Sequence, residues 1–362
     1  MNTNRSITQL LFAGVLAGGI ILFPTQAATI SYVPDAGGAW NAPGNWSLGH
    51  CPLPNDDVEI IVSGAAHKAV SYNWTGATGF DSLEIDGSGS LYGALWHLEN
   101  SMTVDDVRIG GNGEAWHWME SDAYLHVTDH LYVGYQDPGP GHFYLYTQDS
   151  GVQNDNDTYV GYSGPGDFDH MGGYHNCEHL FVGQSDSGTY WMKGSTATST
   201  LQTEFYMVVG NGAAGTFEQT GGTVNPDSPE TVYLGLNTGG VGEYLMRGGV
   251  LNASAISIGW NGDGYFTQSG GTVNVETNVN IGCDGTHPNR ASYLVNDNDD
   301  EPTLNIGGDL RVGPYSLGKY EQTGSGTVEV AGNIELFDGD DGSPSYSYIY
   351  MGTEADWLGA AG

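Results

Sequence analysis

The sequence predicts an all-β fold, a single-stranded parallel β-helix or solenoid of about 11 turns with an N-terminal cap. Three observations carry this expectation. Gly (58) and Pro (14) together make up about a fifth of the 362 residues, against a usual share of roughly 12%. Gly at this density argues against helices, where each interior Gly costs about 1 kcal/mol. A short motif (apolar, any residue, apolar, then usually Gly) recurs eleven times at a spacing close to 24 residues. Between its copies lie further short runs split by Gly-rich turns, and their period-two alternation is the signature of strands. A three-strand unit of this size cannot bury an apolar face alone, whereas copy stacked on copy can. A β-propeller would need blades of about 40–45 residues.

Taken in order, residues 1–28 read as a secretory leader. Arg5 supplies the positive start, Leu10 to Phe23 the apolar run, and Thr25-Gln26-Ala27-Ala28 a small-residue cleavage site. The apolar run is too short to span a membrane comfortably, so the expected location is secreted or cell-surface, with nothing spanning the membrane once the leader is removed. Residues 29–80 are expected to form the cap, with Trp40 and Trp46 burying the open end of the first turn. Residues 81–337 hold the repeats, from Leu83-Glu-Ile85 through Leu131-Tyr-Val133-Gly134 to Ile334-Glu-Leu336. Residues 338–362 read as a polar tail or a truncated further repeat.

The second half of the unit is clearest at Gly215-Thr-Phe217-Glu-Gln219-Thr-Gly221-Gly222-Thr-Val-Asn225 and Gly264-Tyr-Phe266-Thr-Gln268-Ser-Gly270-Gly271-Thr-Val-Asn274. Aligning the copies predicts three inward ladders. One is aliphatic, from Ile109, Val133 and Val160 to Val312. One is aromatic: Phe143, Tyr190, Phe217, Tyr244, Phe266, Tyr293 and Tyr320. The third alternates thioether and amide, at Met192, Gln219, Met246, Gln268 and Gln322, and its Gln side chains are expected to hydrogen-bond from turn to turn.

Charge excludes several functions. Only 8 Lys and Arg face 43 Asp and Glu, a formal net charge of −35. No basic cluster exists to hold a phosphate backbone, so nucleic acid is not a partner. A polyuronate lyase is disfavoured as well, because it needs cations to neutralise its substrate. A hydrophobic share of 39% argues against disorder.

The Gly-x-Tyr/Phe-x-Gln-Thr/Ser-Gly-Gly-Thr-Val-Asn repeat resembles that of the right-handed, pectin-lyase-like β-helix proteins of bacterial surfaces. These include autotransporter-passenger-like and Pro-Glu-Pro-sorted exported proteins. The opening Gly38-Ala-Trp40, Asn45-Trp46-Ser47 and Asp57-Val58-x-Ile60 is similar to the cap segment that precedes such helices. The resemblance covers roughly residues 35–340 and implies right-handed winding. It also implies service as a surface or extracellular-matrix scaffold or adhesin, with extracellular polysaccharide or surface proteins as partners. The alternative is a carbohydrate-active β-helix enzyme, a glycoside hydrolase using paired carboxylates.

Several residues are candidates for that work. The middle residue of the recurring strand should point outward, which would set Tyr132, Tyr159, Phe181 and Tyr233 in an exposed stripe able to stack sugar rings or dock a partner. Two Asn-Asp-Asn-Asp strings supply closely spaced oxygens suited to Ca²⁺, through Asp155 and Asp157 and through Asp297, Asp299 and Glu301, or they form solvated loops. His170, His175, Cys177 and His179 form either a metal-like cluster or a variable corner in which the side chains diverge. Asp105/Asp106, Asp299/Asp300 and Asp338/Asp340/Asp341 are the acid pairs a glycosidase would need, although adjacent acids arise by chance in so acidic a chain. Cys51, Cys177 and Cys283 lie too far apart to pair within the chain.

Overall fold

The computed structural model describes residues 28–76, 79–194, 199–226, 231–283, 290–296, 301–314, 316–337, 347–352 and 357–358. The chain is an all-β parallel β-solenoid of about 12 turns, consistent with a right-handed parallel β-helix. The leader lies outside the described residues, and among those described no helix is long and apolar enough to cross a membrane. Each turn contributes three strands. In one turn they are Gly151–Asn154, Asp157–Val160 and Gly166–His170, here called the amide, aliphatic and aromatic strands after the residues that distinguish them. Amide and aliphatic strands form one 20-stranded sheet and aromatic strands a 14-stranded one. At about 4.8 Å per turn the rod is roughly 55–60 Å long.

The turns not counted in the sequence come from the segment assigned to the cap. Thr29–Ser31 already pairs in parallel with Asp57–Ile61, and Gly38–Ala39 with Lys68–Tyr72. The coil therefore starts at residue 29. Its end is plugged by Trp40, Trp46, Tyr32 and Phe80, all buried. Trp40 packs edge-on against Trp46 at 4.9 Å, and the Trp46 indole N–H donates to the Trp40 carbonyl at 2.7 Å. At the other end Tyr348–Met351 adds a further parallel strand to the aromatic sheet, and Trp357–Leu358 closes it antiparallel.

Two glycine columns make the turns fit. Gly134, Gly161, Gly183 and their counterparts follow the aliphatic strand at positive φ, where a side chain would be strained. The Gly that opens the aromatic strand is required by close approach: a Cβ on Gly215 would lie 2.1 Å from the Val182 carbonyl oxygen of the preceding turn.

The aliphatic ladder is in register from Ile109 to Val312 and fully buried. The aromatic ladder is likewise continuous and includes two members the sequence alignment missed, His117 and Phe168, between Leu95 and Tyr190. Successive rings stack 4.5–4.9 Å apart from Phe143 to Tyr293.

The Gln side chains bond from turn to turn as expected, though not to one another, because Met or Val separates them along the column. Gln219 instead donates to the Gly222 and Val250 carbonyls, and its amide oxygen accepts from the Tyr244 hydroxyl of the next turn at 2.6 Å. Gln268 and Tyr293 repeat the arrangement, and His170 meets the Tyr190 hydroxyl in the same way at 2.9 Å. A rule follows. Between Met119 and Gln268, where the third column holds a polar side chain (His170, Gln219 or Gln268), the aromatic residue of the next turn is Tyr. Where it holds Met119, Leu145, Met192 or Met246, the next aromatic is Phe (Phe143, Phe168, Phe217 and Phe266). Outside that stretch the pattern breaks: Val295 precedes Tyr320, whose hydroxyl is buried without a partner among the described residues, His97 is followed by His117, and Gln322 by Ile349. File-wise amide bonding does occur, but on the outside, where Asn252 donates to Asn225, Asn274 to Asn252 and Asn305 to Asn274 at 2.6–2.8 Å.

Four histidines lie inside the coil. Burial pushes His97 and His170 down to about 4, and holds His117 and His175 well below their ordinary value, helped by the charge of a neighbouring His. Neither ring nitrogen of His117 has a hydrogen-bond partner among the described residues.

Two predictions follow from this interior. Gln219→Met alone orphans the Tyr244 hydroxyl and should lower stability by about 1–3 kcal/mol, with Tyr244→Phe restoring most of it. Chemical denaturation of both single variants and the double variant measures the coupling, and additive losses would contradict the pairing. For the histidines the folded values lie below the unfolded one, so stability should be level above about pH 7 and fall as pH drops through 6.5 toward 4, by about 1.4 kcal/mol per pH unit for each group. The raised carboxyls of Asp81 and Glu84 act in the opposite sense at the acid end, so the variant difference isolates the histidine. His117→Phe should raise the pH 7 midpoint and flatten the slope by one proton.

Candidate binding face

The outward column of the aliphatic strand carries the predicted stripe. In register it runs Glu84, Arg108, Tyr132, Tyr159, Phe181, Val208, Tyr233, Ser257, Asn280, Arg311 and Glu335. Tyr132 and Tyr159 stack 5.3 Å apart at 8°, and Tyr159 and Phe181 5.0 Å apart at 7°. Rings one turn apart are held parallel by the backbone, so each face is given to its neighbour and only the edges look outward. Tyr135 and Tyr162 then lie edge-on against Tyr132, and Arg108 sits 5.4 Å over Tyr135.

The stripe is therefore a stacked cluster rather than an open run. Tyr132 and Tyr159 are half-buried, Phe181 is buried beneath Tyr206, and Val208 is fully buried. Burial, then the charge of Asp106, raises the Tyr132 hydroxyl to about 12. Tyr159 is raised further by burial and by its hydrogen bond to Asp157. Tyr233, beyond the break, turns to other partners and meets Trp260 edge-on at 5.9 Å.

From Trp260 onward the same face opens into a groove of about 560 Å³, lined by Trp260, Asn280, Cys283, Arg311, Pro314, Glu335 and Phe337. Trp260 and Phe337 are 40% and 37% exposed. Arg311 lies between them, its Nε donating to Glu335 at 3.0 Å and an Nη to Asp309 at 2.6 Å. Asn280 and Arg311 stand in the same alternation that flagged Tyr132, so the sequence held the signal. Trp260 falls past the turn glycine, outside the repeat alignment.

The calcium expectation is only partly brought together. Asp155 pairs with the His126 ring at 2.7 Å, away from Asp157, which contacts His179 and Tyr159. Asp297 and Asp299 lie outside the described residues, and Glu301 is exposed. Asp157 gathers instead with Glu178 and His179, and Asp106 gathers with Asp129 and His130 two turns away, each set with its donor atoms within 4.8 Å. One imidazole with two carboxylates is donor chemistry for a borderline divalent ion rather than for Ca²⁺, which prefers all-oxygen sets. The histidine cluster divides. His175 and Cys177 face the core, as does His170 from its own strand, and both His170 and His175 reach the Tyr190 hydroxyl. A register shift between Cys177 and His179 carries His179 outside.

Of the acid pairs, Asp105 accepts from Thr128 and Asp106 from Arg108. The Asp299/Asp300 and Asp338/Asp340/Asp341 groups lie outside the described residues. A second outward aromatic group, missed by the sequence reading though legible in the alternation of Gly113–Met119, joins Trp116, Trp118 and Tyr144 on the aromatic sheet. No family model, curated protein or solved structure matches the chain.

The Tyr159 stack predicts a graded response. Tyr159→Phe keeps the stack and loses the Asp157 bond, so the loss should stay near 1 kcal/mol. Tyr159→Ala opens the file and should lose about 2–3 kcal/mol. Equal effects in urea unfolding would show that the ring stack contributes nothing.

Proposed function

We propose that this chain is an exported, non-enzymatic β-helical rod that serves as a scaffold at the cell surface or in the extracellular matrix, holding polysaccharide or surface proteins along one face. The observation that carries this reading is the order of the outer surface. The Asn225–Asn305 file and the Tyr132–Tyr159–Phe181 file repeat outside the coil with the same spacing as the core inside. A surface of that regularity suits lateral attachment, where many weak, identically spaced contacts act together. Asp105 and Asp106 are engaged by neighbours rather than facing each other across an open gap, which favours holding over hydrolysis. The excess of acid keeps such rods apart and soluble, and the leader-like residues 1–28 support export.

The secreted full-length chain tests this by co-sedimentation with insoluble neutral polysaccharides and with intact cells, combined with a reducing-end assay on the same mixtures. Retention in the pellet with no new reducing ends is the expected result. Reducing ends that appear with the wild type and vanish with Asp105→Asn/Asp106→Asn would overturn it in favour of a hydrolase.

A further inference from the structure

We propose that the groove between Trp260 and Phe337 is a binding site for a short run of neutral pyranose rings lying along the rod axis. This rests on the reading of the rod as a surface that holds polysaccharide, and it names where and what. Four features of the groove converge on that ligand.

The first is length. Trp260 belongs to the turn of Ile258 and Phe337 to that of Leu336, three turns on in the register Ile258, Ile281, Val312, Leu336. The two exposed rings thus bracket a span of about 14 Å. The volume, about 560 Å³, is that of an ordinary small-ligand cleft.

The second is ring geometry. Elsewhere on this face the rings stack one turn apart and cover each other. Trp260 meets Tyr233 at 86°, and Phe337 stands beyond the turns of Cys283 and Pro314, so neither ring is part of a parallel stack among the described residues. A pyranose ring needs an aromatic face against its C–H surface, and this part of the rod supplies two.

The third is hydrogen bonding. Arg311 is fixed in place by Asp309 and Glu335, which take two of its N–H groups, while a guanidinium carries five. The remaining donors, the Asn280 amide and the second Glu335 oxygen are planar groups that match neighbouring sugar hydroxyls, and they need no reordering to do so.

The fourth is charge. Arg311 in the centre is already matched by Asp309 and Glu335, so the groove offers an anionic sugar no unpaired cation. Asp309, Glu335 and the net charge of −35 repel a uronate or sulfated chain. A polyol without charge meets no such repulsion. Cys283 and Pro314, small residues on the floor, leave room for it.

Isothermal titration of the full-length chain with cellotriose, laminaritriose and chitotriose, and with trigalacturonate as the anionic control, tests the proposal. At least one neutral trimer should bind and trigalacturonate should not. Trp260→Ala should weaken that binding by about tenfold or more, and Arg311→Met comparably. Both variants should keep the wild-type urea midpoint to within a small shift, because Trp260 and Arg311 are partly exposed. Where a trimer does bind, two results would overturn the site. One is neutral-trimer binding unchanged in both variants, which moves the sugar contact elsewhere on the rod and leaves the scaffold reading standing. The other is preference for trigalacturonate, which contradicts the charge argument. If no trimer binds while insoluble polysaccharide still retains the wild type and both variants equally, the groove is excluded and the scaffold survives. If neither trimers nor polysaccharide bind, the site and the polysaccharide-holding reading fall together.

Discussion

Each strand of this molecule finds its hydrogen-bonding partners one turn above and one turn below, and that constraint orders everything else. Backbone N–H and C=O groups in the core must be paired, and in a parallel coil the pairing brings residue n of one turn onto residue n of the next. Like side chains are therefore forced into files at strand spacing. An aliphatic file packs well. An aromatic file stacks, ring on ring, and gains beyond simple burial. A polar file has to be satisfied from within or it destabilises the coil. The chain answers that last demand by coupling two columns. Gln219, Gln268 and His170 are each met by a Tyr hydroxyl from the turn above, and the Gln amides by backbone carbonyls at the corner.

The coupling explains why Phe and Tyr alternate irregularly in a column that is otherwise uniform. A hydroxyl added over Met192 or Met246 would be buried without a partner, and a hydroxyl removed above Gln219 would leave an amide oxygen bare. Either loss is of order 1–3 kcal/mol. Tyr320, above Val295, shows the penalty left standing. His117 shows another, since an imidazole with both nitrogens unpaired replaces Phe in the file. In a quasi-one-dimensional structure such local defects weaken the interface between two particular turns rather than the whole, so the turns near His117 and Tyr320 are the places where the coil should open first.

Much of this was legible beforehand for one reason: register in a solenoid is a property of repeat spacing. The aliphatic and aromatic columns could be aligned by counting, and every residue so placed is in its column, with His117 and Phe168 added to the aromatic one. What failed was anything set by the corners. The register shift between Cys177 and His179 moves one histidine outside while its neighbours stay in, and no counting rule reports a shift. Phe181 and Val208 occupy outward positions yet are buried, and the Tyr206 ring packs edge-on against Phe181. The Gln side chains were expected to bond between turns, and they do, but not to one another. Their partners are backbone carbonyls at a bend and a hydroxyl in a different column, and neither is visible in a one-column alignment. The first turns were hidden in the cap segment for the same reason, since Thr29–Ser31 and Gly38–Ala39 are too short and too unlike the repeat to be counted.

The same regularity limits where recognition can occur. A file of rings in register uses up its own faces, as Tyr132, Tyr159 and Phe181 do, and a file of amides commits a donor and the oxygen to its neighbours, as the Asn225–Asn305 column does. Perfect repetition therefore makes a stable surface with little left to offer a small ligand. Chemistry becomes available where a file is interrupted, because an interruption leaves a ring without a stacking partner and a polar group without an identical neighbour. The outward column is broken at Val208 and changes character after Tyr233, through Ser257 and Asn280 to Arg311 and Glu335. That succession of unlike residues sets Trp260 and Phe337 apart with a fixed guanidinium between them. The groove thus follows from the repeat losing its sameness on one face while keeping it in the core, where the aliphatic ladder still runs unbroken beneath.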